Sequence, residues 1–174
     1  MKKLLTTTAC CIALLFAAAQ KTPEFPKGWV LYLQEHHGVA TNFTSSPDIF
    51  VSSLRLSPQV TIVPGHLRLG GTAAGVFTNK KFQGAFGPNL VVNLFAPDLK
   101  NLGSAFNVQF QAEYLWGTAQ QRLIGGLINI EIGQRLVVGL SAHRDYGLNQ
   151  WWFKTGLGYN LLHKKMVTDP LGGK

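Results

Sequence analysis

The chain of 174 residues carries a formal charge of +8, yet only 14% of it is charged while 46% is apolar. That is one domain's worth of sequence at the usual ~100 to 200 residues per domain. Apart from Lys2-Lys3 at the front, its basic residues are scattered except at Lys80-Lys81 and Lys164-Lys165, so the concentrated basic stripe of a nucleic-acid surface is missing. No nucleic-acid partner is expected, and attraction to anionic lipid or polysaccharide is the simpler use of the charge.

Residues 1–19 read as a cleavable signal peptide: Lys2-Lys3, an apolar stretch from Leu4 to Phe16, then Ala17-Ala18-Ala19. The apolar stretch is shorter than the ~20 residues of a spanning helix and is diluted by Thr6, Thr7 and Thr8. Cys10 and Cys11 both lie inside it, so the exported chain is expected to have no disulfide and no thiol chemistry. A short lead, 20–27, contains Pro23 and Pro26.

From there to 162 the sequence alternates, with no convincing helix. Eight strands are predicted: Gly28 to Val39, Asp48 to Val63, His66 to Thr78, Lys81 to Phe95, Ala105 to Gly117, Arg122 to Gly133, Arg135 to Tyr146 and Gln150 to Leu162. Turn-forming residues separate them, as in Pro64-Gly65, Asn79-Lys80 and Gly147-Leu148-Asn149. Pro58 falls inside the second run, and a split there gives nine strands. A polar tail, 163–174, follows the last strand.

The fifth strand is the clearest. Phe106, Val108, Phe110, Ala112, Tyr114 and Trp116 point one way, and Asn107, Gln109, Gln111 and Glu113 the other. At ~3.3 Å per residue and a tilt near 40°, this strand spans about 28 Å of height, close to the ~25 Å apolar band of a membrane barrel. Strand direction puts Trp29, Phe95, Phe106 and Tyr159 at one rim and Phe77, Phe82, Trp116 and Trp151 at the other, as two girdles at membrane interfaces. A soluble periplasmic lipocalin-like barrel also alternates, but its exposed faces usually carry Lys, Glu, Arg and Thr. Here the sixth strand sets Ile124, Gly126, Ile128, Ile130 and Ile132 against Leu123, Gly125, Leu127, Asn129 and Glu131. Gly125, Gly139, Gly156 and Gly158 suit a crowded barrel interior, and Gly70-Gly71-Thr72-Ala73-Ala74-Gly75 is read the same way because it lacks phosphate-loop spacing.

In the last strand, Lys154, Gly156, Tyr159 and Leu161 form a pattern of polar residue, glycine, then two alternating hydrophobic residues. It resembles the closing strand of small bacterial outer-membrane β-barrel proteins of the eight-stranded type. The resemblance implies an all-β fold, a single antiparallel up-and-down transmembrane barrel in the outer membrane. It also implies outer-membrane lipid as surroundings and assembly machinery that reads Lys154, Gly156, Tyr159 and Leu161. The chain departs from the pattern in its tail after the closing strand and in its short connections, which argue against a receptor or adhesin.

No cofactor or metal is expected. Glu35-His36-His37 is the nearest approach to a metal cluster, but His36 and His37 face opposite sides. Ser141 and His143 share a strand face and are the candidate pair for a lipid-modifying barrel enzyme, with Asp145 as the nearest acid. Matching faces across the hairpins pairs Trp116 with Ile124, Ile132 with Leu136 and Ala142 with Phe153. That register places Glu113 and Lys154 at one level, so a lumen ion pair between them is predicted. The expected role is structural or interactive.

Overall fold

A computed structural model of the chain describes residues 28–43, 48–78, 81–95, 106–133 and 135–162. The signal peptide 1–19, the lead 20–27 and the tail 163–174 lie outside the described residues. The strands are β1 (Trp29–Thr41), β2 (Ile49–Val63), β3 (Leu67–Thr78), β4 (Lys81–Phe95), β5 (Phe106–Gly117), β6 (Arg122–Ile132), β7 (Leu136–Asp145) and β8 (Gln150–Asn160). Each pairs antiparallel with its sequence neighbours, and β8 returns to β1 to close the barrel. Turn chemistry sets the ends: Gly65 takes φ 79 in the β2–β3 connection, and Gln120 and Asn149 take φ 62 and 56 in two others. Pro58 does not split β2. It pairs with Leu31 of β1, and the β2–β3 register runs through with the same offset at Leu56 and Gln59.

The register fixes the width. A row of paired residues runs Val30, Gln59, Gly70, Asn89, Glu113, Gly125, His143, Trp152 and back to β1 at Ala40, ten residues above its start. With strands ~4.8 Å apart and ~3.3 Å of rise per residue, that stagger gives a tilt of about 40° and a radius of about 8 Å. Side chains fill a barrel this narrow.

Polarity is inverted relative to a soluble barrel. The buried set is largely Gln34, His36, Arg55, Gln59, Arg68, Asn89, Gln109, Gln111, Glu113, Asn129, Glu131 and Lys154, whereas Leu54, Phe86, Phe110, Ile128, Leu140 and Leu157 are exposed on the outside. An apolar layer of Ala40, Val51, Val76, Ala85, Leu115, Leu123 and Trp152 closes the interior at the end where β1, β3 and β5 finish. Val30, Tyr32 and Val137 cluster near the other end.

Two expectations need correction. Gly71 and Gly75 do not pack inside: with Ala73 they share the outward parity of Leu69 and Phe77, and only Thr72 and its parity mates face in. At the β5–β6 hairpin Trp116 pairs with Arg122, and it is Tyr114 that pairs with Ile124. The strands run straight into a tight turn, closed by the Gly117 amide donating to the Gln121 carbonyl at 2.9 Å. A slip of two residues leaves every face unchanged, so face-matching cannot detect it. The other two pairings, Ile132 with Leu136 and Ala142 with Phe153, stand as predicted.

Candidate functional site

The interior centres on two acids at different heights. Glu113, at the inward parity of β5, accepts from Arg55 Nη2 of β2 and from His143 Nε2 of β7, the latter at 2.7 Å. Because a carboxylate only accepts, the proton of His143 sits on Nε2. Thr72 Oγ1 and Gln111 Nε2 reach the same carboxylate at 3.2 and 3.0 Å, and Asn89 Nδ2 holds Thr72 Oγ1 at 2.9 Å. Nearer the other end, Glu131 accepts from the Tyr32 hydroxyl at 3.1 Å, Asn107 Nδ2 at 3.0 Å and Gln109 Nε2 at 2.6 Å. Arg68 Nη1 donates to the Tyr32 oxygen at 2.7 Å, completing a second cross-barrel tie. A third buried acid, Asp145, accepts from the amides of Arg122, Gly147 and Leu148 and so pins the turn after β7.

Glycines make the upper network possible. Gly125 stands between Glu113 and His143 in the ladder. A Cβ there would lie 2.6 Å from His143 Cα and 2.8 Å from its Cδ2, so only glycine lets the ring lie across β6 to Glu113. Gly156 does the same for the His36 ring, against which a Cβ would press at 2.6 Å from Cγ.

The predicted ion pair of Glu113 with Lys154 is not formed. The two-residue slip brings His143 to the level of Glu113 and leaves Lys154 level with Gln111, Leu127 and Ser141. Lys154 Nζ instead lies 5.6 Å from the centroid of the Trp152 ring, and Glu113 takes Arg55 as its cation. Ser141 and His143 face inward as expected but do not meet. Ser141 Oγ donates to the Lys154 carbonyl at 3.3 Å, His143 Nε2 is committed to Glu113, and both residues are shut from solvent.

The aromatic residues singled out for the rims are turned outward where their side chains are described: Trp29 and Tyr159 toward one end, Trp116 and Trp151 toward the other. Phe106 opens β5 opposite Ile132, and its side chain lies outside the description. Trp151 stacks on Phe153 at 6.1 Å and carries Arg144 at 5.5 Å from its ring. In β8, Lys154 is buried and Tyr159 is outward, and just past the strand the Leu161 amide donates to the Leu31 carbonyl at 2.7 Å. His36 is fully buried while His37 is outward, and among the described residues no group of three or more potential ligands is placed to hold a metal.

No motif in the sequence marks Arg55, Arg68, Tyr32 or Glu131 as a network residue. The available signal was parity: Arg55 alternates with Ser53 and Ser57 at buried positions of β2, so a charge there requires a partner across the barrel. Outside, the small residues of β3 leave a groove of about 550 Å³ with Ala73 and Gly75 at its floor and Leu54, Leu56, Phe82 and Phe86 at its walls. Its lining is almost wholly apolar, and the Arg55 behind it is directed inward to Glu113. No family model matches the chain, and no curated protein is significantly similar to it.

Proposed function

We propose that the chain is an integral outer-membrane β-barrel protein, exported through its signal peptide, with a structural or interaction role and no open pore. One observation carries this reading: an apolar outer surface encloses a polar, hydrogen-bonded interior, the reverse of what water outside the barrel favours. Among the described residues no helix is long and apolar enough to cross a membrane, so a crossing falls to the strands. The apolar layer at one end and the side-chain networks below it leave the lumen closed to solutes. Trp29, Tyr159, Trp116 and Trp151 then sit at the two lipid interfaces. The closing strand, through Lys154, Gly156, Tyr159 and Leu161, is the element offered to assembly machinery.

The lipid-modifying alternative loses support because Ser141 and His143 are directed to other partners inside a sealed lumen. A soluble ligand-binding barrel would need an apolar interior, and this one is polar. In membrane fractions the protein is expected to resist carbonate extraction and to migrate differently on a gel before and after boiling, as closed barrels do. Release into the carbonate supernatant contradicts the proposal.

A further inference from the structure

Away from the strand ends, the outward surface of the described strands carries acidic, basic or imidazole side chains at only two positions. Arg122 opens β6, Arg144 is next to last in β7 and Lys81 begins β4, so all three lie near strand ends. The two exceptions are Glu35, the central residue of β1, and His37. Their side chains are 62% and 49% exposed, and His37 Nε2 meets Glu35 Oε1 at 3.0 Å. The His37 ring also stacks on Phe50 at 6.1 Å. Across the ladder His37 faces Ser52 and Thr155, and Glu35 faces Leu54 and Leu157.

If the barrel spans the membrane as proposed, Glu35 lies in the hydrocarbon near mid-height, with His37 two residues closer to the rim where β1 ends. A charged group on the lipid face near the midplane is costly, less so for an acid than for Arg or Lys, and polar positions of this kind usually mark a partner. We propose that the β1 face, centred on Glu35 and His37, is the contact between two copies of this chain in the membrane. The inference rests on the membrane reading.

Charge complementarity and symmetry select a second copy. Two copies inserted in the same direction are related by a two-fold axis along the membrane normal, which keeps every residue at its own height. Because β1 is tilted by about 40°, Glu35 and His37 are displaced sideways as well as vertically. An axis passing between them carries each Glu35 beneath the other copy's His37. Each acid and each imidazole then gains a second partner of opposite character, and the four groups are removed from lipid together. The same axis passes close to Leu157, the β8 neighbour of Glu35 and 68% exposed.

The test uses the full chain in native membranes with single cysteines, since the only natural cysteines lie in the predicted signal peptide. Leu157→Cys treated with a short bis-maleimide is expected to give a band of twice the monomer mass. Phe110→Cys, on the opposite wall, is expected to stay monomeric. Adding Glu35→Leu and His37→Leu to Leu157→Cys is expected to reduce the doubled band to the level of the Phe110→Cys control. A barrel that resists carbonate and is heat-modifiable but does not cross-link at Leu157→Cys overturns the dimer alone. So does a cross-linked band of another mass, or a doubled band unchanged by the two leucines. Release of the protein by carbonate overturns the membrane reading itself and the dimer with it.

Discussion

Replacing Glu113 by leucine is expected to destabilise the barrel on the order of 3 to 5 kcal/mol, because Arg55 would be left as an uncompensated charge in a sealed interior. Arg55 is 1% exposed and its Nη2 reaches the Glu113 carboxylate directly. His143 Nε2, Thr72 Oγ1 and Gln111 Nε2 lose their shared acceptor in the same change. Arg55→Leu alone is expected to be comparably harmful, since it strands the carboxylate. The double replacement is expected to recover much of the loss, as a buried ion pair is often matched or exceeded by apolar side chains of similar volume. Refolding titrations into detergent for the four proteins of the cycle measure the coupling. Strictly additive effects would show that the two side chains do not meet. Lys154→Leu and its combination with Glu113→Leu, added as a fifth and a sixth protein, are expected to show a weaker coupling, because Lys154 stands over Trp152 and is not paired with the carboxylate.

Arginine at Ile128 is expected to cost roughly 2 to 4 kcal/mol in a bilayer, the range for a basic side chain on the lipid face near the midplane. Ile128 is outward, 48% exposed, and surrounded on its neighbours by Phe110 and Leu140. Val108 lies nearer a rim, where its β4 partner is Phe95, so Val108→Arg is expected to cost less. Trp116→Arg, close to the other rim, is expected to cost about 0 to 1 kcal/mol from charge placement, apart from lost contact with Tyr114 and Phe86. Equilibrium unfolding from lipid vesicles reads all three. Equal costs at Ile128 and Trp116 would mean that no hydrocarbon gradient surrounds the barrel.

Strand identity and facing were legible in the sequence because both depend on a period of two. The turn residues set ends that agree with the structure within one or two residues at every strand, and Pro58 stayed inside β2. Register was less legible. A shift of two at β5–β6 leaves every side chain on the same face, so only the geometry of the turn decides whether Ser141 or His143 arrives beside Glu113. Cross-barrel partners were hidden for a related reason: Arg55 and Glu113 lie on β2 and β5, which share no ladder, and nothing local in either strand names the other. Glu35 and His37 share the outward face of β1, a pairing that reading the Glu35-His36-His37 run for metal ligands does not bring out. Its height within the outer surface emerged only when the ring closed.

A barrel that spans the membrane must meet lipid along its outer surface. The most direct measurement places spin labels at single cysteines along β6, from Leu123 to Ile132, in the protein reconstituted into bilayers, and records collisions with dissolved oxygen and with a water-soluble nickel chelate. Oxygen accessibility is expected to alternate with every residue, high at Ile124, Gly126, Ile128, Ile130 and Ile132 and highest near Ile128, with little nickel access at those positions. Nickel access as high at Ile128 as at the ends of the strand would show water outside the barrel and overturn the membrane reading.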